Sequence, residues 1–484
     1  MKTTSDIDKK LKSSQIKYRP SKKISEIKSS SITRVDKSQP PRYDIRPMGN
    51  SIDTSGSGRL YSPLDAELKK AYQEGEKPVR RARRPARRLS AKSAPLVPTA
   101  PRDAATRSLN WIFSQIKEFL SSVDKVLCAL ILSLSVIGIL AINSATATNG
   151  THRFILVQGF AECLGIVMML AVCAVDYRQF TKKYRYIIAF NAAILIFTYF
   201  FGQSVTETSN ANWIDLGFIK IQPSEFAKLL FIYCFAVHLS VVRDRLNKIT
   251  TVLTLFIHAG LIFGLVLLQR DLGSLTIFLM IFIAMCFASG LSVWYFIAGG
   301  ACAVCLSPFI WAKLSLYQRN RILLCFDNSI DPNGVGIRYQ QLRSQTAIGN
   351  GGITGTGYLK GTVTQAASGK LPAKHTDMIF STICEEFGLI GAVIVLLLMA
   401  ALILRIIYIA MNCKNRVGSL ICVGIAAMLM IQVIENVGMC LEVMPVIGIT
   451  FPFLSYGGSS ALSTFIAMGM VLSVSAHEEK TFFD

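Results

Sequence analysis

Charged side chains are scarce after the first 110 residues of this chain. Only 17% of its 484 residues are charged, whereas 51% are hydrophobic, and the formal net charge is +21. Residues 1–110 contain 26 Lys and Arg against 11 Asp and Glu, a difference of 15, which leaves only +6 for the remainder. Ordinary soluble domains carry about 25% charged residues. The composition therefore excludes an ordinary soluble enzyme and predicts a membrane protein.

Metal-binding and phosphate-binding patterns are also lacking. The five histidines form no pair at helical spacing, and Cys302 and Cys305 lie in an apolar run without a second pair, so a structural zinc site is not expected. Most of the twelve cysteines lie in apolar segments and are predicted to be small buried hydrophobes. The glycines of residues 349–357 do not match a GxxxxGK(S/T) loop, so close backbone packing or mobility is the favoured interpretation.

The first 110 residues lack both apolar periodicity and an apolar signal-peptide region near Met1. Their Ser, Pro, Lys and Arg content predicts a disordered basic cytoplasmic tail, and the first span is expected to direct insertion. The arginine cluster at residues 80–88 could contact anionic lipid, bind nucleic acid or remain solvated. Lipid contact is favoured over nucleic acid, so no nucleic-acid partner is expected.

Beyond the tail, the chain contains ten apolar runs that are long enough to cross a hydrocarbon core of about 30 Å. Such spans must be helical, because unpaired backbone groups cannot face lipid. The predicted fold class is all-α, a polytopic ten-helix membrane domain (120–476) with a long extracytoplasmic loop (313–385) between spans 7 and 8, and a cytoplasmic C-terminus (477–484). The predicted spans are 126–145, 154–175, 184–202, 222–241, 250–268, 274–290, 294–312, 386–408, 418–439 and 456–475.

The distribution of basic residues in the short loops predicts the orientation. Cytoplasmic loops retain an excess of Lys and Arg. With a cytoplasmic amino terminus, the outer short loops hold only Arg153, Lys220 and Arg270. The inner loops then hold nine basic residues, namely Arg178, Lys182, Lys183, Arg185, Arg243, Arg245, Lys248, Lys414 and Arg416. Both termini are therefore expected in the cytoplasm.

Charged residues near the fourth span require an explanation, because an isolated charge within a span costs at least about 2.5 to 3.5 kcal/mol. Glu225 and Lys228 are one helical turn apart and therefore share a helix face. They could form an internal ion pair that orients helices, line a substrate cavity, or do both. Pro223 just before them is suited to the first turn of the helix.

Two more polar groups occur at comparable positions in other hairpins. Asp271 lies in the connection between spans 5 and 6, where Gly273 is expected to supply the bend, and Glu435 and Asn436 lie late in span 9. Such polar groups suggest a shared outward-facing cavity, or, for the turn, charges held at the outer interface. Sequence alone does not show that the helices are neighbours.

The long outer loop contains the strongest candidate for chemistry. Asp377 and His375 lie where the loop enters the next span. A carboxylate among basic groups suits a phosphorylated substrate that needs a proton acceptor and charge neutralisation. A solvated loop with a helix-capping acid is equally compatible with the residue types. The basic residues of the loop are Arg319, Arg321, Arg338, Arg343, Lys360, Lys370 and Lys374.

Several ordered motifs resemble the shape, elongation, division and sporulation (SEDS) family, which includes RodA and FtsW. The resemblance covers about residues 120–475, and its most specific stretch is MPVIGITFPFLSYGGSS at residues 444–460. Supporting stretches are WIDLGFIKIQPSEFAKL, QRDLGS, YQRNRI followed by AIGNGGITGTG, and LPAKHTDMIFSTICEEFGLIG.

The resemblance implies a peptidoglycan glycosyltransferase that polymerises lipid II at the outer face of the bacterial cytoplasmic membrane, with a class B penicillin-binding protein as partner. It implies that Asp377 is the catalytic base for the acceptor hydroxyl. A divalent cation, Mg²⁺ or Mn²⁺, could bridge carboxylate and pyrophosphate, and no organic cofactor is expected. The implied cavity residues are Glu225, Lys228, Asp271, Arg319, Arg321, Lys374 and His375, and the implied signature residues are Pro223, Ser455, Tyr456, Gly457 and Gly458.

Departures from the family pattern leave some expectations open. Arg270 stands where the family usually has proline, Asn212 stands where it has arginine, and Val157 stands where it has a basic residue. The sequence near residue 362 is closer to RodA than to FtsW, which favours elongation over division. The paired glycines Gly457 and Gly458 are interpreted as close helix packing. A lipid-linked precursor flippase and a weakly catalytic scaffold remain alternative functions.

Overall fold

The computed structural model describes residues 123–149, 152–203, 212–215, 220–366 and 371–478. The predicted basic tail (1–110), Lys370 and residues 479–484 lie outside the described residues, so the predictions made for them stay predictions.

Helices dominate the described part of the chain. The two short strands β1 (Ile214–Asp215) and β2 (Lys220–Ile221) pair antiparallel. The helices are α1 (Lys125–Thr146), α2 (Arg153–Ala174), α3 (Tyr184–Phe201), α4 (Pro223–Val241), α5 (Ile249–Leu268), α6 (Leu272–Ala288), α7 (Val293–Lys313), α8 (Leu316–Leu323), α9 (Tyr339–Gly351), α10 (Ile379–Asn412), α11 (Arg416–Cys440) and α12 (Gly458–Ala476).

Polar side chains begin many of these helices, because the first backbone amides of a helix lack partners within it. Asp124 accepts from the Leu127 amide at the start of α1. Asn415 accepts from the Val417 and Gly418 amides at the start of α11. The expected Pro223 occupies the first turn of α4, where its missing amide hydrogen costs nothing.

The chain is a polytopic helical membrane protein. In the described ranges, nine helices have the length and composition to cross a membrane, namely α1 to α5, α7 and α10 to α12. Helix α6 is apolar but has only 17 residues. Helix α11 lies at the centre and contacts α4, α6, α10 and α12, whereas α7 contains no buried residue.

A short helical segment precedes the predicted start of the eighth span at residue 386. Helix α10 begins at Ile379 and is kinked at Gly388, whose φ of 65° is not helical. Glu385 and Glu386, which lie just before the kink, are buried. Hydropathy located only the apolar part after the kink, because the preceding helical turns contain polar residues.

The bend between α5 and α6 also differs from the expectation. Gly273 is helical, whereas Arg270 has the positive φ of 57°. Gly273 serves close packing instead, because a Cβ at this position would lie 2.9 Å from the carbonyl oxygen of Ile447.

The glycine run packs closely against the kink in α10. A Cβ at Gly351 would overlap the carbonyl oxygen of Cys384, and one at Gly355 would overlap the carbonyl oxygen of Glu386. The run thus permits a backbone-to-backbone approach, which is one of the two interpretations favoured from sequence.

Candidate active site

Asp377 lies on a short loop, residues 374–377, that precedes α10. Each of the four successive carbonyl oxygens of this loop accepts a hydrogen bond from a distant residue or from α10. Such a loop has little freedom to reorient, because buried carbonyl groups rarely lose their partners. The donors, in chain order of the carbonyls, are the Thr382 hydroxyl (3.1 Å), the Tyr456 amide (2.7 Å), the Ser455 hydroxyl (2.7 Å) and the Asn436 side-chain amide (2.8 Å).

Residues 446–449, which we call the central segment, connect the predicted polar groups. They belong to the stretch that most resembles the family signature. The Val446 carbonyl oxygen accepts a hydrogen bond from Arg321 Nη1 (2.6 Å), and the Ile449 carbonyl oxygen accepts one from the Asn436 side chain (2.8 Å). Between them, Ile447 packs against Gly273 of α6, and Gly448 faces the Asp377 carboxylate. Contacts along one four-residue segment therefore bring together loops and helices that are far apart in sequence.

The environment of Asp377 is suited to a proton acceptor. Burial raises the pKa of the Asp377 carboxyl group to about 6, while the nearby Arg321 guanidinium acts in the opposite direction. A general base works best when its pKa lies near the operating pH. Asp377 is thus mainly ionised at neutral pH but remains basic enough to take a proton.

Arg321 is held in place beside this carboxylate. Its guanidinium donates to the Val446 carbonyl oxygen and to the Tyr317 hydroxyl, and it lies 4.5 Å from the centre of the Tyr317 ring. The buried Nε atom of Arg321 has no hydrogen-bond partner among the described residues. An acceptor oxygen of a substrate could satisfy this donor.

The residues just before Asp377 differ from the expected cationic surface. Lys374 is buried, and its Nζ donates to the Thr148 hydroxyl (3.0 Å) and to the Thr364 carbonyl oxygen. Burial and the charge of Lys374 lower the pKa of His375, so its imidazole is neutral at pH 7. Lys374 thus supports the loop, and His375 contributes no positive charge.

Aromatic rings enclose His375. The ring centre of Phe154 lies 5.2 Å from that of His375 and 5.2 Å from that of Tyr456. The ring centres of His375 and Tyr456 lie 5.6 Å apart. This three-ring cluster joins α2, the Asp377 loop and the segment that precedes α12.

Two other arginines of the loop, Arg319 and Arg338, make separate contacts. Arg319 donates to the Ala312 carbonyl oxygen at 2.8 Å. Arg338 forms an ion pair with Glu442, with Nε 2.6 Å from Oε1. Neither contact includes Asp377, so Arg321 is the arginine of this loop whose charge acts on the candidate base.

Asp271 lies at the start of α6, where it is buried and caps the helix. Its Oδ1 accepts from the Ser274 amide at 3.0 Å. Its Oδ2 accepts from four neutral side chains, those of Asn212 (3.0 Å), Gln222 (3.3 Å), Ser224 (3.3 Å) and Ser274 (2.8 Å). Asn212, which replaces the expected arginine, thus contacts Asp271 directly.

Glu225 and Lys228 form a buried ion pair on α4. Lys228 Nζ lies 2.8 Å from Glu225 Oε1, and the Ser463 hydroxyl of α12 donates to Glu225 Oε2 at 3.1 Å. The Lys228 side chain has no exposed surface. Of the interpretations left open by the sequence, the internal ion pair is present.

The signature residues Ser455 and Tyr456 hold the Asp377 loop in position through hydrogen bonds. The Ser455 hydroxyl donates to the Thr376 carbonyl oxygen and accepts from the Phe451 amide at 2.8 Å. A Cβ at Gly457 or Gly458 would meet its nearest neighbour at 3.7 or 3.9 Å, which is ordinary contact. Close packing therefore does not explain the paired glycines.

Asn436 is the site residue that sequence reasoning undervalued. The sequence places it among the polar groups that suggest a shared outward-facing cavity, and its side chain donates to the carbonyl oxygens of Asp377 and Ile449. A buried amide within an apolar run was the available signal, because such a group needs partners.

The described residues do not form a resident metal site. Within the described ranges, no three His, Cys, Asp or Glu side chains lie close enough together to hold a metal ion. A cation at Asp377 would need substrate oxygens as its other ligands, as Mg²⁺ often does. The predicted cation therefore stays a prediction.

Comparison with known proteins identifies the family. A family model described as cell cycle protein, which covers FtsW, RodA and SpoVE, matches residues 122–480. The chain belongs to this family. Stage V sporulation protein E of Bacillus subtilis is 33% identical to this family member over 74% of this chain and 98% of that protein. Peptidoglycan glycosyltransferase MrdB of Escherichia coli K12 is 32% identical over 65% of this chain and 84% of that protein.

Solved structures of the FtsW, RodA and SpoVE family share this fold. One chain from a peptidoglycan synthase complex that coordinates polymerization and crosslinking aligns with a TM-score of 0.63 and 27% identity. The alignment covers 73% of this family member and 97% of that chain. The helical bundle described above is therefore the family's fold.

Proposed function

We propose that this family member is a peptidoglycan glycosyltransferase that polymerises lipid II at the outer face of the bacterial cytoplasmic membrane. Its relatives include a named peptidoglycan glycosyltransferase, of which the chain covers 84%. The observation that carries the proposal is the Asp377 carboxylate, which lies on a firmly hydrogen-bonded loop beside the Arg321 guanidinium.

The proposed reaction assigns one proton acceptor and one leaving group. A hydroxyl oxygen of the acceptor sugar forms a bond to the anomeric carbon of the donor sugar, and its proton passes to the Asp377 carboxylate. The bond between that carbon and the pyrophosphate oxygen breaks, and undecaprenyl pyrophosphate leaves with the electron pair. A positioned base contributes about 10²- to 10⁴-fold to such a reaction.

Arg321 is suited to stabilise the charge that develops on the leaving group. The buried Nε atom of its guanidinium has no hydrogen-bond partner in the described part of the chain, and its positive charge acts at Asp377. Orientation of the two substrates supplies the remaining acceleration.

The proposed topology has ten spans with both termini in the cytoplasm. Helix α6 would be the tenth span, because its 17 residues extend about 26 Å, within the range that transmembrane helices adopt. The basic residues of the short loops support the orientation. The Asp377 loop then faces outward, where peptidoglycan is built.

The decisive test replaces the base. Asp377→Asn keeps the shape of the side chain but is expected to reduce polymer formation from purified lipid II by about 10²- to 10⁴-fold. Asp327→Asn is the matched control, because Asp327 is an exposed acid in the same long loop. Equal polymerisation by both variants, at equal expression and membrane insertion, would overturn the assignment of the base.

The alternatives are tested with the same protein. A flippase would move labelled lipid II between the leaflets of vesicles without forming polymer. A scaffold would form polymer only through its partner. We expect polymer from the purified protein, more of it with a class B penicillin-binding protein, and a dependence on added Mg²⁺ or Mn²⁺ if a cation bridges Asp377 and pyrophosphate. Whether the chain serves elongation or division follows from where the labelled protein is found in growing cells.

A further inference from the structure

A basic cavity of about 440 Å³ lies between the loops that follow α4, α6 and α10. Its lining contains the cations Arg243, Arg245, Lys248 and Arg416 and one acid, Asp244. The net charge of these side chains is therefore +3. In the part of the chain that the structure describes, none of the four cations forms an ion pair.

Two buried polar atoms in the cavity wall have no partner among the described residues. One is the Nε atom of Arg416, whose Nη2 atom already donates to the Ser289 carbonyl oxygen at 2.6 Å. The other is the Ser289 hydroxyl, on a residue with only 7% exposure. Buried polar groups without partners are rare and point to an unseen ligand. The cations of the lining would hold an anion with several acceptor oxygens next to these two donors.

The cavity is separate from the Asp377 site. Arg416 begins α11, whereas Asn436, which contacts Asp377, lies twenty residues further along the same helix. At 1.5 Å per residue the two ends are about 30 Å apart. The cavity therefore lies at the opposite membrane surface, where anionic headgroups meet basic pockets between helices.

We propose that this cavity binds a phosphate group, supplied either by an anionic phospholipid headgroup of the adjacent leaflet or by a soluble phosphate compound. The guanidinium groups match phosphate oxygens in geometry as well as charge. The Ser289 hydroxyl supplies a neutral donor from the α6 end of the cavity. The ligand would join the α4–α5, α6–α7 and α10–α11 connections.

Binding is tested with the full-length purified protein in neutral detergent. Phosphatidylglycerol, phosphatidylcholine and inorganic phosphate are titrated, and bound lipid is counted by native mass spectrometry. The cavity variant is Arg243→Gln/Arg245→Gln/Lys248→Gln. Its matched control, Lys182→Gln/Lys183→Gln/Arg185→Gln, removes the same charge from exposed residues at the same end of the bundle.

We expect phosphatidylglycerol to bind the unmodified protein and the control variant more tightly than phosphatidylcholine, and the cavity variant at least about tenfold more weakly. Pocket-dependent binding of inorganic phosphate would support the site and identify a soluble ligand. A Ser289→Ala variant, which is expected to fold normally, should weaken the same binding. Equal affinities of the cavity and control variants for both phosphatidylglycerol and phosphate would overturn the proposal.

Discussion

At the scale of single residues, the protonation of Asp377 decides when the proposed reaction can proceed. Because burial raises the pKa of this carboxyl group to about 6, the ionised form is present above that pH and is lost as the pH falls. At pH 5 only about a tenth remains ionised.

The rate of polymerisation is therefore expected to fall about tenfold per pH unit below pH 6 and to level off above it. Initial rates of polymerisation from purified lipid II between pH 4.5 and 8 measure this acidic limb of the pH–rate profile. His375→Gln separates the two titrating groups of the loop, because removing the imidazole should leave the limb in place. A limb that disappears in His375→Gln would assign the titration to the histidine.

The buried pair of Glu225 and Lys228 makes a second prediction at this scale. Removing one partner of a buried ion pair costs about 3 to 5 kcal/mol, because the other charge is left uncompensated. Reversing either charge alone should therefore lower the yield of folded protein and its melting temperature strongly.

The double variant Glu225→Lys/Lys228→Glu should recover part of this loss. Recovery is expected to be partial, because the swap places a cation at the amino-terminal end of α4, where an anion is favoured. Melting temperatures of the four proteins in a double-mutant cycle give the coupling free energy. Additive losses would contradict a stabilising pair.

Individual site residues were predictable to different degrees. Asp377 and Arg321 were named from sequence because an acid beside basic residues suggests phosphate chemistry, and the structure brings their charges together. Lys374 was predicted as a cavity cation, yet it is buried against Thr148 and Thr364. Residue type reveals charge, but it does not reveal the direction in which a side chain points.

At the scale of elements, α9 and the glycines that follow it pack closely against the kink of α10. Backbone atoms meet there without intervening side chains. Backbone atoms cannot move aside as a side chain can, so added volume must displace one of the two helices.

Two glycines of the same helix provide a matched test. Gly351→Ala places a Cβ against the Cys384 carbonyl oxygen and should destabilise the protein by about 1 to 3 kcal/mol. Gly349→Ala meets nothing within 4 Å and should be neutral or stabilise by up to about 1 kcal/mol. Thermal melting in detergent distinguishes them. Similar melting temperatures would refute the packing argument.

Elements were predictable where hydropathy alone defines them. Nine apolar runs correspond to helices that are long enough to cross a membrane. The helical turns before the kink of α10 and the positive φ of Arg270 were not predicted. Both depend on backbone contacts with distant segments, which local composition does not report.

At the scale of the whole molecule, the opposite ends of the bundle are expected to face opposite compartments. Lys360 lies on the Asp377 side and Lys182 at the other end, and both are exposed. In a Cys325→Ser/Cys413→Ser background, Lys360→Cys should react with a membrane-impermeant maleimide in intact cells. Lys182→Cys should react only after permeabilisation. The reverse pattern would invert the proposed orientation.

The sequence by itself determined the class of the protein. Hydropathy and length identify the spans, and ordered motifs identify the family, because both are properties of consecutive residues. Only the tertiary structure decided which polar groups meet. Asn436 reaches Asp377 across 59 residues, and Arg321 reaches the central segment across 125. Such contacts arise from helix packing. The geometry of this packing depends on all the helices together, so the sequence of one helix does not determine it.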